Sequence, residues 1–316
     1  MLALVALLAA ADPPKPSKYQ STVIREPAGP AYFHIAFAAE GFTAGQRAAF
    51  ARRAEELATV VRVQPVFSKH TKRLKFSAVW VPSADEGAGR EAVWDAREKD
   101  WKLDKAARRT AFGSVYHTER QLYKLTNYHA VRAANAAAGY DADVLVVVVN
   151  RADRGGIALL PGTVAGAAYW AHKDTPRPFD YEAKKDDLPG GLVVLGGGDA
   201  AAVLVHELGH AVAGLGDEYV TTLKANRREE NAEWAGRHPN VSDTPDRRTL
   251  KWRDLLGKDG VGVFEGAIDR AKGLYRPWED GCVMGEDPGA GRFCPVCERA
   301  LHRAIEAGAA AKVSGN

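Results

Sequence analysis

Between Asp143 and Asn150 the chain runs Val144-Leu145-Val146-Val147-Val148-Val149 without a polar residue. β-Branched side chains favour the pleated, extended backbone. A half-exposed strand would alternate apolar and polar residues, whereas this run is apolar on both faces and needs cover on both. It therefore reads as a central, doubly buried strand. Other elements arrange around it. Ala31 to Phe37 has strand character, and Gly41-Phe42 makes a turn. Thr43 with Gln46 forms a capping-box pattern opening a helix to about Val61. Leu74 to Val81 alternates through Phe76, Ala78 and Trp80 as a second strand, stopped by Pro82. A charged stretch runs through Lys105, with both signs interleaved as on a solvated face, and Arg120 to Ala138 reads as an Ala-rich helix. Gly155 to Tyr169 is Gly-punctuated, as expected of an edge strand. Gly190 to Leu195 is a short strand, and Asp199 caps a following helix. After Gly214 the chain becomes loop-rich, and it closes in a helix from Pro295 to about Ala309. This order implies an α/β (α+β) architecture with a mixed β-sheet.

The domain expectation is one catalytic unit over residues 31–316, with an upper lobe over 31–213 and a lower lobe over 214–316. Residues 12–30 are Pro-rich and polar and read as a linker or short pro-segment. Residues 1–11 form a short apolar run ending in small residues, too short to cross a bilayer and suited to a signal peptide. No Lys or Arg precedes it: either the start is misassigned or the charged end is the free amine alone. The expected location is secreted or periplasmic. A formal net charge of +3 with no basic block argues against nucleic acid as a partner. No later stretch is apolar and long enough for stable membrane association.

His206-Glu207-Leu208-Gly209-His210 carries the chemistry. On a helix, residues four apart share a face, so the two imidazoles point at one spot and suit Zn2+. Glu207 is rotated off that spot and can reach a water there as a general base. Val203, Leu204, Leu208, Ala211 and Val212 make the helix apolar, so these polar groups would be buried and need a partner. A catalytic zinc has three protein ligands and an open position. Gly214 and Gly216 permit a sharp reversal that returns a carboxylate. Asp217 is the chosen third ligand, with Glu218 the alternative ligand or an acceptor for an imidazole N–H.

The stretch HELGHAVAGLGDEY, His206 to Tyr219, resembles the zinc signature of the IgA-peptidase (igalysin) family of metzincin metallopeptidases. Ala31 to Phe42, Phe76 to Pro82, Val146 to Asn150 with Gly155-Gly156, Gly262 to Pro277, and Cys282 through Cys297 read like it as well. The resemblance implies a two-lobed metzincin-like catalytic domain with a zinc-binding active-site helix. It implies His206, His210 and Asp217 as ligands and Glu207 as catalytic base. It also implies a Met-turn beneath the metal, for which Met284 is the one methionine besides the initiator. The broader metzincin spacing puts Gly and a third His where Ala213 and Gly216 stand. One extra residue brings Gly214 and Asp217 into those roles.

Weaker signals remain. Cys294-Pro295-Val296-Cys297 reads as a redox pair, half a zinc site or part of a disulfide. The favoured reading is a disulfide from Cys282 to Cys294 or Cys297. All three cysteines follow the metal motif, so no upstream thiol can block the metal. Tyr219 and Tyr275 are candidate donors to an oxyanion. His117, His129 and His172 lack partner spacing. Asn240-Val241-Ser242 is a formal glycosylation sequon. The expected activity is zinc-dependent endopeptidase action on protein or peptide substrates. The alternatives are a zinc amidase acting on cell-wall or other non-protein amides, and a catalytically silent zinc-stabilised binding module.

Overall fold

The computed structural model describes residues 18–95, 100–103, 108–117, 122–165, 167, 188–197, 200–220, 228–287 and 291–314. The strands are β1 (Gln20–Arg25), β2 (Phe33–Glu40), β3 (Leu74–Trp80), β4 (Arg90–Asp95), β5 (Asp100–Leu103), β6 (Val115–His117), β7 (Leu122–Lys124), β8 (Val144–Val149), β9 (Gly156–Leu159), β10 (Gly191–Leu195), β11 (Phe264–Ala267) and β12 (Arg270–Arg276). The helices are α1 (Arg47–Val63), α2 (Pro65–Ser68), α3 (Tyr128–Ala137), α4 (Ala200–Ala213), α5 (Arg228–Arg237) and α6 (Pro295–Ser314).

The main sheet has the order β1-β3-β2-β8-β10-β9. Its four inner strands are parallel. The two edges, β1 and β9, run antiparallel to their neighbours. The valine run is β8, buried at every residue. Its side chains divide between two cores, as the period of two requires. Val144, Val146 and Val148 meet Phe50 and Leu57 of α1, Leu204 and Leu208 of α4, and Ile305 of α6. Leu145, Val147 and Val149 meet Val131 and Ala134 of α3 together with Tyr116 and Tyr123. The fold is thus mixed α/β, with a mixed sheet covered on both faces and a C-terminal helix.

Several expectations change. The sheet begins at Gln20, inside the stretch read as a linker: β1 pairs with β3. Its residues are mostly exposed on a sheet edge, so no apolar pattern marks it. The helix expected over 120–138 is shorter. Strand β7 precedes it, and the Asn127 side chain accepts from the Ala130 amide to start α3 at Tyr128. The charged stretch folds as part of a second sheet, order β5-β4-β6-β7. Helix α6 packs in one core with α1 and α4, together with Trp252 and Met284. The expected signal peptide, Asp199 and His172 lie outside the described residues. Among the described residues, no helix is long and apolar enough to cross a membrane.

Candidate metal centre

Helix α4 lies against the sheet through Leu204 and Leu208, both fully buried. That seating leaves His206 and Glu207 in the interior as well, each 8% exposed. The helix stops at Gly214, whose backbone is left-handed (φ 64°). Its N–H donates to the His210 carbonyl at 2.9 Å, a glycine cap that reverses the chain. The reversal carries Asp217 back to the helix. Asp217 Oδ1 lies 3.1 Å from His206 Nε2 and 3.2 Å from His210 Nε2. The two Nε2 atoms are 3.2 Å apart. A tetrahedral zinc with bonds of about 2.0–2.1 Å to nitrogen has ligand–ligand edges of about 3.3 Å. The triangle therefore fits such an ion.

The protons point the same way. His206 Nδ1 donates to the Val283 carbonyl at 2.8 Å, and His210 Nδ1 to the Leu215 carbonyl at 2.6 Å. A neutral imidazole that donates at Nδ1 offers a lone pair at Nε2. Three electron-rich atoms then face one another, and Asp217 Oδ1 is buried without a hydrogen-bond donor among the described residues. Such an arrangement calls for a cation or a proton. Burial opposes charge on His210, but the Asp217 carboxylate outweighs it and pushes the imidazolium up to about 9. Burial likewise works against the Asp217 carboxylate. The charge on His210 and the two imidazole contacts outweigh it and hold the group well below the usual range. Burial raises Glu207, which has no ion-pair partner strong enough to offset it.

Met284 is fully buried directly beneath this helix. A Cβ on Gly209 would sit 2.5 Å from its Sδ, so only glycine lets the two approach this closely. The adjacent Val283 supplies the carbonyl that orients His206. Tyr219 stacks on His206, centroids 6.4 Å apart, and its hydroxyl bonds Asp217. Burial and Asp217 both raise its hydroxyl. Tyr275 sits instead on β12, opposite Glu265 and bridged through its backbone to Ser242.

Asp217 and Glu218 part company. Asp217 faces the imidazoles, whereas Glu218 turns to Cys282, Cys294 and Cys297. The expected disulfide is not formed: all three cysteines are free thiols, and Cys282 Sγ stands 4.0 Å from Cys297 Sγ. A disulfide needs about 2.05 Å. Sequence reading also missed Asn240. Its side chain accepts from the Gly216 amide and donates to the Gly216 carbonyl and Glu218 Oε1, each at 2.8 Å. Being fully buried, it is no glycosylation acceptor in the folded chain. The β11–β12 tip completes the frame: Ile268 and Asp269 donate their amides to the carbonyls of Asp217 and Tyr219. No local pattern announces these supports, because each acts across the tertiary fold.

No curated protein matches the chain. The family model for IgA Peptidase M64 matches residues 27–172 and 197–261, most of the chain and all of the segment from α4 through Tyr219. With that match covering β2, β3, β8 and β9 of the sheet and the His–His–Asp cluster, the chain belongs to the IgA peptidase M64 family and is a metallopeptidase, a metal-dependent hydrolase of protein or peptide substrates.

Proposed function

We propose that the protein is an exported, zinc-dependent endopeptidase in which His206, His210 and Asp217 hold the metal and Glu207 is the general base. One observation carries this reading. Three ligand-type atoms converge within 3.2 Å, with both Nδ1 protons already committed to backbone carbonyls. Two nitrogens and one carboxylate oxygen, with an approach left open, are the donor set of a catalytic zinc.

A zinc ion bound there polarises a carbonyl and lowers the pKa of water. The protein's own groups do the rest. Glu207 accepts the proton of the attacking water as the C–O bond forms and the carbonyl oxygen takes up the charge. It then delivers that proton to the departing amine as the tetrahedral adduct collapses and the scissile C–N bond breaks. Its burial favours a base that is easily reprotonated. Tyr219 is the candidate donor to the developing oxyanion, being stacked on His206. The substrate is an extended peptide added alongside β9, the sheet edge next to α4. A Cβ on Gly156 would lie 3.0 Å from Glu207 Oε1, so that edge runs directly past the base. Export rests on the apolar run of residues 1–11, and sequencing the mature N-terminus checks it.

The test is digestion of unfolded and folded proteins beside peptidoglycan fragments, by wild type and by Glu207→Ala. Protein cleavage by wild type alone, with equal metal content in both, is expected. The variant should lose roughly 10²–10⁴-fold in rate. Comparable cleavage by Glu207→Ala would sink the mechanism, and cleavage of cell-wall amides alone would replace the substrate class.

A further inference from the structure

We propose that Glu218, Cys282, Cys294 and Cys297 form a second metal site, a closed structural zinc centre behind the catalytic one. The four offer one carboxylate oxygen and three sulfurs, all within 4.8 Å of one another and all buried. Cys297 Sγ lies 3.1 Å from Glu218 Oε1 and 4.0 Å from Cys282 Sγ. A tetrahedral zinc with bonds of about 2.3 Å to sulfur has sulfur–sulfur edges of about 3.8 Å. The spacing matches that figure and is far too wide for a disulfide. Burial also removes the thiols from any exchange partner, so a redox pair does not fit. Soft thiolates with one carboxylate favour zinc over magnesium or calcium.

An independent feature points to a ligand. Glu218 is 5% exposed, and its Oε2 has no hydrogen-bond partner among the described residues. The thiols offer this buried carboxyl group only weak S–H donors, Cys297 at 3.1 Å and Cys294 at 3.9 Å, both to Oε1. Four anionic donors leave a zinc site with net negative charge, and the fold supplies donors against it. The amides of Cys294 and Met284 donate to Cys282 Sγ, and the amide of Cys297 to Cys294 Sγ. Asn240 donates to Glu218. Cys294 and Cys297 flank the positive N-terminus of the 20-residue α6. The backbone bridge between Cys282 and Arg292 brings the two cysteine segments together beforehand.

The site's role follows from its neighbours. Glu218 follows Asp217 and donates its amide to the Met284 carbonyl at 2.7 Å. Cys282 lies two residues before Met284 and one before the carbonyl that orients His206. An ion here would clamp together the carboxylate return, the Met284 turn and α6. On binding, the thiols release their protons to solvent while the Zn–S bonds form.

The experiment uses the full chain, reconstituted with zinc and separately with cobalt, as wild type and as the His206→Ala/His210→Ala double variant. Two zinc ions per wild-type chain and one per double variant are expected. Both cobalt forms should show thiolate-to-cobalt charge-transfer absorption in the near ultraviolet, which a His–His–Asp site cannot produce. Three thiols should titrate after unfolding in chelator. One zinc per wild-type chain with no charge-transfer band overturns the proposal, as does a single titratable thiol, which would mean a disulfide. Wild-type cobalt protein alone decides the matter should the double variant fail to fold. Failure here leaves the peptidase reading intact, since that reading is tested by Glu207→Ala.

Discussion

Two buried carboxyl groups, Glu40 at the end of β2 and Glu218 behind α4, meet burial in opposite ways. Glu40 is fully buried, and protein donors satisfy it: Thr110 Oγ1 at 2.6 Å, the Phe112 amide at 2.8 Å and the Ser114 amide at 2.9 Å. Glu218 is also buried but faces three thiols: its Oε1 takes one amide donor, from Asn240, beside weak S–H contacts from Cys297 and Cys294, and its Oε2 is unpartnered among the described residues. Asp217, its neighbour in sequence, faces two imidazole lone pairs. A carboxyl group supplied with N–H and O–H donors holds a loop in place. One surrounded by other electron-rich atoms is poised for a cation. The hydrogen-bond partners, more than burial, separate structural acids from candidate ligands.

The contrast is sharpest under mutation with and without chelator. Glu40→Ala should destabilise by roughly 3 kcal/mol or more, since several buried donors lose their acceptor. The loss should be the same in zinc and in chelator. Glu218→Ala should destabilise strongly in zinc and much less in chelator, read from denaturant midpoints. Equal chelator sensitivity of the two variants would break the comparison.

A smaller effect is expected where the two proposed sites meet. Gly209→Ala pushes a methyl group toward Met284 and should cost about 1–3 kcal/mol. A smaller side chain in Met284→Ala should relieve part of that cost, giving a double-mutant coupling. Simple additivity would mean that Met284 does not bear on the helix.

The pH dependence probes the His–His–Asp cluster. His210 without metal holds its proton up to about 9 because of Asp217, and a metal must displace that proton. Metal affinity should therefore rise about tenfold per pH unit on going from neutral to about 9, and fall on acidification. A pH-independent affinity in competition titrations would remove His210 from the ligand set.

The smallest effect concerns His70 and His302, which join the turn after α2 to α6 at 2.7 Å. Burial lowers both pKa values. The unfolded chain then binds more protons, so their contribution is present above the unfolded pKa and is lost as pH falls through about 6.5 and below. His70→Asn should flatten the fall in melting temperature between pH 7.5 and pH 5.5. An unchanged slope would assign that fall to other groups.

Much of this was legible in the chain itself. The valine run determined a doubly covered central strand, because a strand apolar on both faces has no other stable placement. The 3.6-residue period set His206 and His210 on one face, and the glycines after the helix announced a reversal. These are local consequences of backbone geometry and solvation. The edge strand β1, the second sheet, the return of α6 to the first core and the support from Asn240 were not legible, since exposed edges and long-range contacts leave no periodic trace. Only the tertiary structure decided that Asp217 and Glu218, adjacent in sequence, serve different clusters. Successive side chains on an extended segment point to opposite sides. Which side holds imidazoles and which holds thiols depends on where α4, the Met284 turn and α6 pack around it.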